Sequence, residues 1–470
     1  MKILFVSAEC SPYSKTGGLA DVAGSLPKEF IKMGHDVTVI TPRYKEIRQN
    51  LEYVQDFKIN MVGKSMDCII RRHVQKVGDK KLTTLFVDNA YYFDRDGMYC
   101  HSDEAERFAF FDKAVAKIID FEDPDIIHLN DWQTGPIAVI VRDQYKNYTS
   151  KIIYTIHNME YNGSFDGSVT KYFDFDPNVY MNPDKLEFFG NFSFSKAGIL
   201  YADVCTTVSP TYANEIQTPE YGFGYEGLLG FKAQQNKLIG IINGIDYDYY
   251  NPATDDSIFR KYDKDHLDNK KANKAMLQEL LGLPVKDVPM IAVVSRVVQH
   301  KGYDIMIESL KDLLCNDIQF VQLGIGDMHY INRFYLLKER FPDRISINNV
   351  FDEVLAKKIY AAADMFMIPS SFEPCGLSQL ISFRFGTIPI ARKTGGLNDT
   401  VIGFLGNKEN GNGFTFFNSS PEDLTAVTNL ALKAYENKEE WRMLQKRVME
   451  LDFSWAKSAK QYEDVYKRVL

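Results

Sequence analysis

Cysteine is scarce in this chain, six residues in 470, and no two of them form a CxxC pair. Cys10, Cys68, Cys100, Cys205, Cys315 and Cys375 lie scattered, which excludes a zinc knuckle and a disulfide framework and fits a reducing cytoplasm. No stretch approaches the ~20 apolar residues that span a bilayer. The opening MKILFVSAEC has an apolar run of only four before Ser7 and Glu9, too short for the core of a secretory signal. Charge of one sign is also missing: 55 Lys and Arg stand against 63 Asp and Glu, a net −8 without a basic or acidic tail. Proteins that track phosphate backbones carry basic surfaces, so this balance argues against nucleic acid as a partner. Proline-rich, Gly/Ser-rich and single-residue tracts are absent too, so no disordered linker is expected.

What the sequence does contain is short, β-branched apolar runs alternating with longer helical patterns, the mark of parallel sheets wrapped by helices. Strands are expected at residues 3–8, 36–41, 125–130, 151–157 and 204–209. A second series is expected at 289–295, 318–324, 365–370 and 387–392. They lack strict alternation, as strands buried on both faces should. At roughly 150 residues per domain, the length suits two or three domains. The reading is α/β, with two doubly wound Rossmann-like domains: 1–245, then 246–452, followed by an amphipathic helix at 453–470. That helix carries Phe453, Trp455, Tyr462 and Val465 on one side.

One loop is written twice: KTGGLADV at 15–22 and KTGGLNDT at 393–400, each between a predicted strand and a predicted helix. Ligands of open parallel sheets bind outside the carboxyl ends of the strands. Paired glycines there either let backbone amides approach an anion or simply pack a tight turn.

These loops combine with HLNDWQTG (128–135), TIHNMEYNG (155–163), YGFGYEGLL (221–229), SRVVQHKG (295–302) and SSFEPCGLSQL (370–380). Together they resemble, over essentially the whole chain, the bacterial glycogen synthase and plant starch synthase family of retaining glucosyltransferases. The resemblance implies the GT-B architecture, two Rossmann-like domains facing across a cleft with the last helix crossing back to the first domain. It also implies the reaction: glucose passes from ADP-glucose to the non-reducing end of an α-1,4-glucan such as glycogen. Donor and glucan are then the partners, no metal or other cofactor is called for, and the location is cytoplasmic.

The chemistry asks for cations at a departing diphosphate. By the resemblance, Arg296 and Lys301 bind it, with Lys15 and the amides of Gly17 and Gly18 supplied by the first domain and Asp21 holding that loop. Glu373 supports positive charge at the reacting carbon. Cys375, Gly376, Leu377 and Ser378 form the turn beside it, with Cys375 a packed or backbone-contact residue because no histidine accompanies it as a nucleophile's base. His157 and Asn158 meet the donor sugar, Asp131 arranges the sugar or acceptor site, Asn243 lines the substrate site at the hinge, and Phe351, 22 residues before Glu373, stacks on the base.

The chain departs from the family in two places. Asn130 and Gln133 stand where many bacterial members carry histidines, a change expected to leave the chemistry alone. Gln379-Leu380-Ile381 stands where many related enzymes place a second Glu. Two Asp-x-Asp triplets, 123–125 and 246–248, resemble metal-holding motifs but lie before a strand and in the hinge, and are read as structural. The alternatives are a UDP-glucose-preferring glucan synthase, a hydrolase or epimerase on the same scaffold, a glucan phosphorylase, and a glucan-binding scaffold without catalysis. A second water-activating carboxylate motif and a pyridoxal-phosphate lysine pocket, which two of these need, are not found.

Overall fold

The computed structural model describes residues 1–144 and 149–470 and divides into two units, Met1–Gly244 with Trp455–Leu470, and Ile245–Ser454. In the first, the strands are β1 (Lys2–Val6), β2 (Asp36–Pro42), β3 (Glu52–Met61), β4 (Lys64–Val77), β5 (Lys80–Asp88), β6 (Ile126–Asn130) and β7 (Lys151–Ile156). They are followed by β8 (Ser164–Asp166), β9 (Glu187–Phe188), β10 (Asn191–Ser193), β11 (Val204–Thr207) and β12 (Leu238–Gly240). Nine of them form one sheet in the order β12-β11-β7-β6-β1-β2-β5-β4-β3, while β8, β10 and β9 make a small one. From β12 to β5 the pairing is parallel; β4 and β3 are added antiparallel at the edge.

The second unit holds β13 (Met290–Val294), β14 (Gln319–Leu323), β15 (Ile345–Asn348), β16 (Met365–Ile368), β17 (Ile388–Arg392) and β18 (Phe414–Phe416). Its sheet is parallel throughout, in the order β15-β14-β13-β16-β17-β18. Counted within the unit this is 3-2-1-4-5-6, the order of dinucleotide-binding folds, in which connections leave in opposite directions from the first and fourth strands. A crevice therefore opens outside the carboxyl ends of β13 and β16. In the first unit the same reversal falls between β1 and β6.

Each apolar run read from the sequence is a strand here, and for the expected reason: Ile3 to Val6, Ile126 to Asn130 and Met365 to Ile368 are all buried. The β3–β4 hairpin was not foreseen. Its residues alternate between exposed and covered, with charges outward, because it extends the sheet edge rather than lying between two helical layers.

The last helix, Trp455–Val469, buries Trp455, Tyr462, Val465 and Tyr466. Tyr466 packs on Phe30 of the Gly18–Lys32 helix and lies 2.5 Å from His128 Nδ1 in β6, while His35 meets Glu463 at 3.0 Å. Phe453 does not share that face as expected. It precedes the helix, belongs to the second unit and stacks on Phe383 at 5.7 Å.

Candidate active site

In the second unit, three loops meet at the reversal point. After β13 the chain turns through Arg296 to Lys301. Gly302 then adopts φ +73°, and a Cβ there would lie 2.2 Å from the Pro369 carbonyl after β16. Ser371 N donates to the His300 carbonyl at 2.9 Å. This close approach brings Lys301 Nζ to 2.5 Å from Glu373 Oε2, which also accepts from Ser370 Oγ at 3.0 Å. Arg296 is exposed beside them in the chain and has no carboxylate partner among the described residues. Phe351, 73% exposed, follows β15, and Asp352 behind it caps the Glu353–Ala362 helix through Leu355 N.

The turn after Glu373 rests on the second copy of the repeated loop. Gly395 and Gly396 are packed so closely that a Cβ on either would sit 2.0 Å from a carbonyl oxygen, that of Glu373 or of Cys375. Gly396 N donates to the carbonyls of Glu373 and Pro374. Gly376, φ +73°, lies against buried Gln379, whose Nε2 donates to the Cys375 and Gly376 carbonyls and to Thr400 Oγ1. Gln379, noted from sequence only as a departure, thus ties the two loops together. Cys375 is buried, as a packed residue; Leu377 precedes and Ser378 begins the short Ser378–Arg384 helix. Lys393 lies over the Phe417 ring.

The first copy is built differently. A Cβ on Gly17 would meet nothing within 4 Å. Lys15 Nζ bonds Asp21 Oδ1 at 2.8 Å, in the first turn of the helix that Gly18 opens. The loop hangs on buried Glu9, a residue that no motif marks. Its Oε2 accepts from Thr16 N (2.6 Å) and Gly17 N (3.2 Å), and its Oε1 from Thr16 Oγ1 (2.6 Å) and Tyr99 OH (2.8 Å). The Gly17 amide, assigned from sequence to an anion, is therefore given to Glu9 here. A lone acidic residue six positions before a loop carries no periodic signal, so no sequence rule picks it out.

Asp131 follows β6 with φ +59° and accepts the His157 amide at 2.7 Å. Burial pushes its carboxyl up to about 7, against the amides of His157 and Asn158, which lower it; the Glu9 charge raises it. His157, half-buried at the end of β7, is held neutral, its imidazole pushed down to about 3 by burial. Its Nε2 meets Asn130 Oδ1 at 3.0 Å. Asn158 accepts the Glu160 amide, and buried Asn243 leaves Oδ1 without a partner among the described residues. Trp132 is wedged against Gly163 and rings of Phe108, Phe165 and Phe194.

Neither Asp-x-Asp triplet stands at these edges. Asp125 Oδ2 accepts Lys2 N before β6, and Asp246 Oδ1 accepts the amides of Asp248 and Tyr249.

Two doubly wound α/β units in one chain, each with polar loops at its reversal point, have the architecture of the GT-B glycosyltransferases. Residues 2–230 match the starch synthase catalytic domain and residues 282–447 the group 1 glycosyl transferases. The chain is 45% identical to the glycogen synthase of Moorella thermoacetica, covering 100% of this chain and 97% of that one, and 46% identical to that of Desulforudis audaxviator, covering 99% and 96%. A solved structure, the catalytic domain of starch synthase IV from Arabidopsis thaliana bound to ADP and acarbose, superposes with a TM-score of 0.91 at 34% identity, covering 100% of this chain and 99% of that one. Sucrose-phosphate synthase from Thermosynechococcus elongatus, at 17% identity and TM-score 0.62, shares the fold. The chain belongs to the glycogen and starch synthase family.

Proposed function

We propose that this chain transfers glucose from ADP-glucose to the 4-hydroxyl at the non-reducing end of an α-1,4-glucan, retaining the anomeric configuration. The observation that carries the reading is the placement of Lys301, Glu373 and exposed Arg296 around the reversal point of the second sheet. As the glucosyl–oxygen bond breaks, its electron pair goes to the diphosphate and the anomeric carbon becomes cation-like. The Arg296 fork and the Lys301 ammonium are the groups suited to the first charge, and the Glu373 carboxylate to the second. Lys15 is assigned to the same diphosphate, as the family resemblance implies.

His157, Asn158 and Asp131 are assigned to the sugar and acceptor, Asn243 to the substrate, and the Phe351 face to the nucleobase. Stacking accepts any base, so the choice of ADP over UDP rests on likeness to the starch synthase solved with ADP. Attack from the front face, with the departing phosphate taking the acceptor's proton, requires no separate general base. It makes the rate depend on orientation and electrostatics. No metal is assigned, and the setting is cytoplasmic.

The test is incubation with glycogen and radiolabelled ADP-glucose or UDP-glucose. Label is expected in polymer from ADP-glucose foremost. Preference for UDP-glucose would replace the donor, and no incorporation from either would overturn the reading.

A further inference from the structure

Asn130, at the buried end of β6, is held by its surroundings in one orientation. Its Nδ2 faces two carbonyls, donating to Val6 O at 3.0 Å and to His128 O at 3.4 Å. Rotating the amide by half a turn would set its oxygen against both. Oδ1 therefore points to His157 Nε2 and can only accept. We infer that Asn130 is a positioning residue that fixes the tautomer of His157: Nε2 carries the proton, and Nδ1 presents a lone pair at the carboxyl edge of the sheet.

Nothing protein-borne uses that lone pair, since Nδ1 has no hydrogen-bond partner among the described residues. An acceptor nitrogen on a neutral ring is matched by a hydroxyl that donates. Resting on the proposed function, the inference is that His157 selects its sugar by accepting a hydroxyl proton. An ether, a deoxy carbon or a fluorine at that position would leave Nδ1 unpaired. The neighbouring hydrogen bonds agree. His128, on the adjacent strand, is itself kept neutral by burial, and Asp131 Oδ1 accepts the His157 amide rather than the ring. Tyr212 OH receives the Met159 amide. Burial keeps the imidazole neutral through the physiological range. A carboxylate in place of Asn130 would instead favour the doubly protonated ring and turn Nδ1 into a donor.

The test begins with the unmodified chain, carrying nitrogen-15 in histidine, with the His157 signals assigned by their loss in His157→Gln. At pH 7 they should report a neutral ring protonated on Nε2. A ring protonated on Nδ1, or an imidazolium, would overturn the inference. In Asn130→Asp the ring should become an imidazolium at pH 7, and transfer should drop on the order of 100-fold, recovering as pH rises. Asn130→Ala should leave the two tautomers mixed, with kcat lowered more than the KM for donor changes. Wild-type ring signals and rates in both variants would overturn the role of Asn130. Because the ring signals need no turnover, failure of this inference is distinguishable from failure of the glucosyl-transfer reading.

Discussion

Lys301 Nζ lies 2.5 Å from Glu373 Oε2, so a cation assigned to the leaving group and an anion assigned to the reacting carbon neutralise one another within one unit. On the proposed function, the departing diphosphate would compete with Glu373 for that ammonium. Glu373→Ala should cut turnover by about 10²-fold or more while ADP binding, measured by calorimetry, stays the same or tightens because Lys301 is released. Lys301→Ala should weaken both. Near-normal turnover in Glu373→Ala would remove its assigned role.

The two copies of the glycine loop should respond differently to the same change. Lys393 sits over Phe417, and Lys393→Ala is expected to leave kcat within about threefold, the range of a small packing loss. Lys15→Ala should be severe. Gly396→Ala should be worse than Lys393→Ala, because its Cβ would have to displace the Cys375 carbonyl. Equal defects in the two lysine variants would mean that the loops share one job.

Glu9 holds the first loop by four hydrogen bonds, and Glu9→Ala would leave Thr16 and Tyr99 unpaired together. A displaced loop predicts a fall in kcat of about 100-fold, with faster hydrogen exchange over residues 14–20. Glu9→Gln keeps an acceptor for the two amides and should recover much of the loss. Unchanged exchange in Glu9→Ala would show that the loop does not hang on it.

Asp131 titrates at about 7 in the fold and 3.8 as its ordinary value. Between these the native chain binds more protons than the unfolded one, so this group's contribution to stability falls as pH rises through that window. His128 and His157, lowered from 6.5 to about 3, act oppositely: their contribution is complete above 6.5 and is lost as pH falls toward 3. Asp131→Asn should therefore gain in melting temperature relative to the parent as pH goes from 5 to 8. If ionised Asp131 orients the sugar, turnover should fall about tenfold per pH unit below its limb near neutrality. A flat profile from pH 5 to 7 would contradict that role.

Transfer after exhaustive chelation is expected to equal that before it, since the proposed neutralisation of the diphosphate uses Arg296, Lys301 and Lys15. Strict dependence on added divalent cation would overturn the cationic clamp.

The strands of both parallel sheets were legible because a strand covered on two faces must be apolar at successive positions, as Ile126–Ile127 and Met365–Ile368 are. The β3–β4 hairpin was not, since one covered face leaves only a weak alternation among charges. Lys301, Glu373, Asp131 and His157 were legible as residues at strand ends within motifs. Their partners were not. Glu9 under the first glycine loop, Gln379 between two loops and Asn130 against His157 are joined by distance in space rather than by spacing along the chain.

By itself the sequence determined two α/β units and the loops that carry charge, because burial periodicity and glycine placement are local demands. Only the tertiary structure decided which residues share a proton or a hydrogen bond. It set Lys301 against Glu373, gave the Gly17 amide to Glu9 and left Nδ1 of His157 open, because hydrogen bonds depend on positions and angles that strand order and close backbone packing impose.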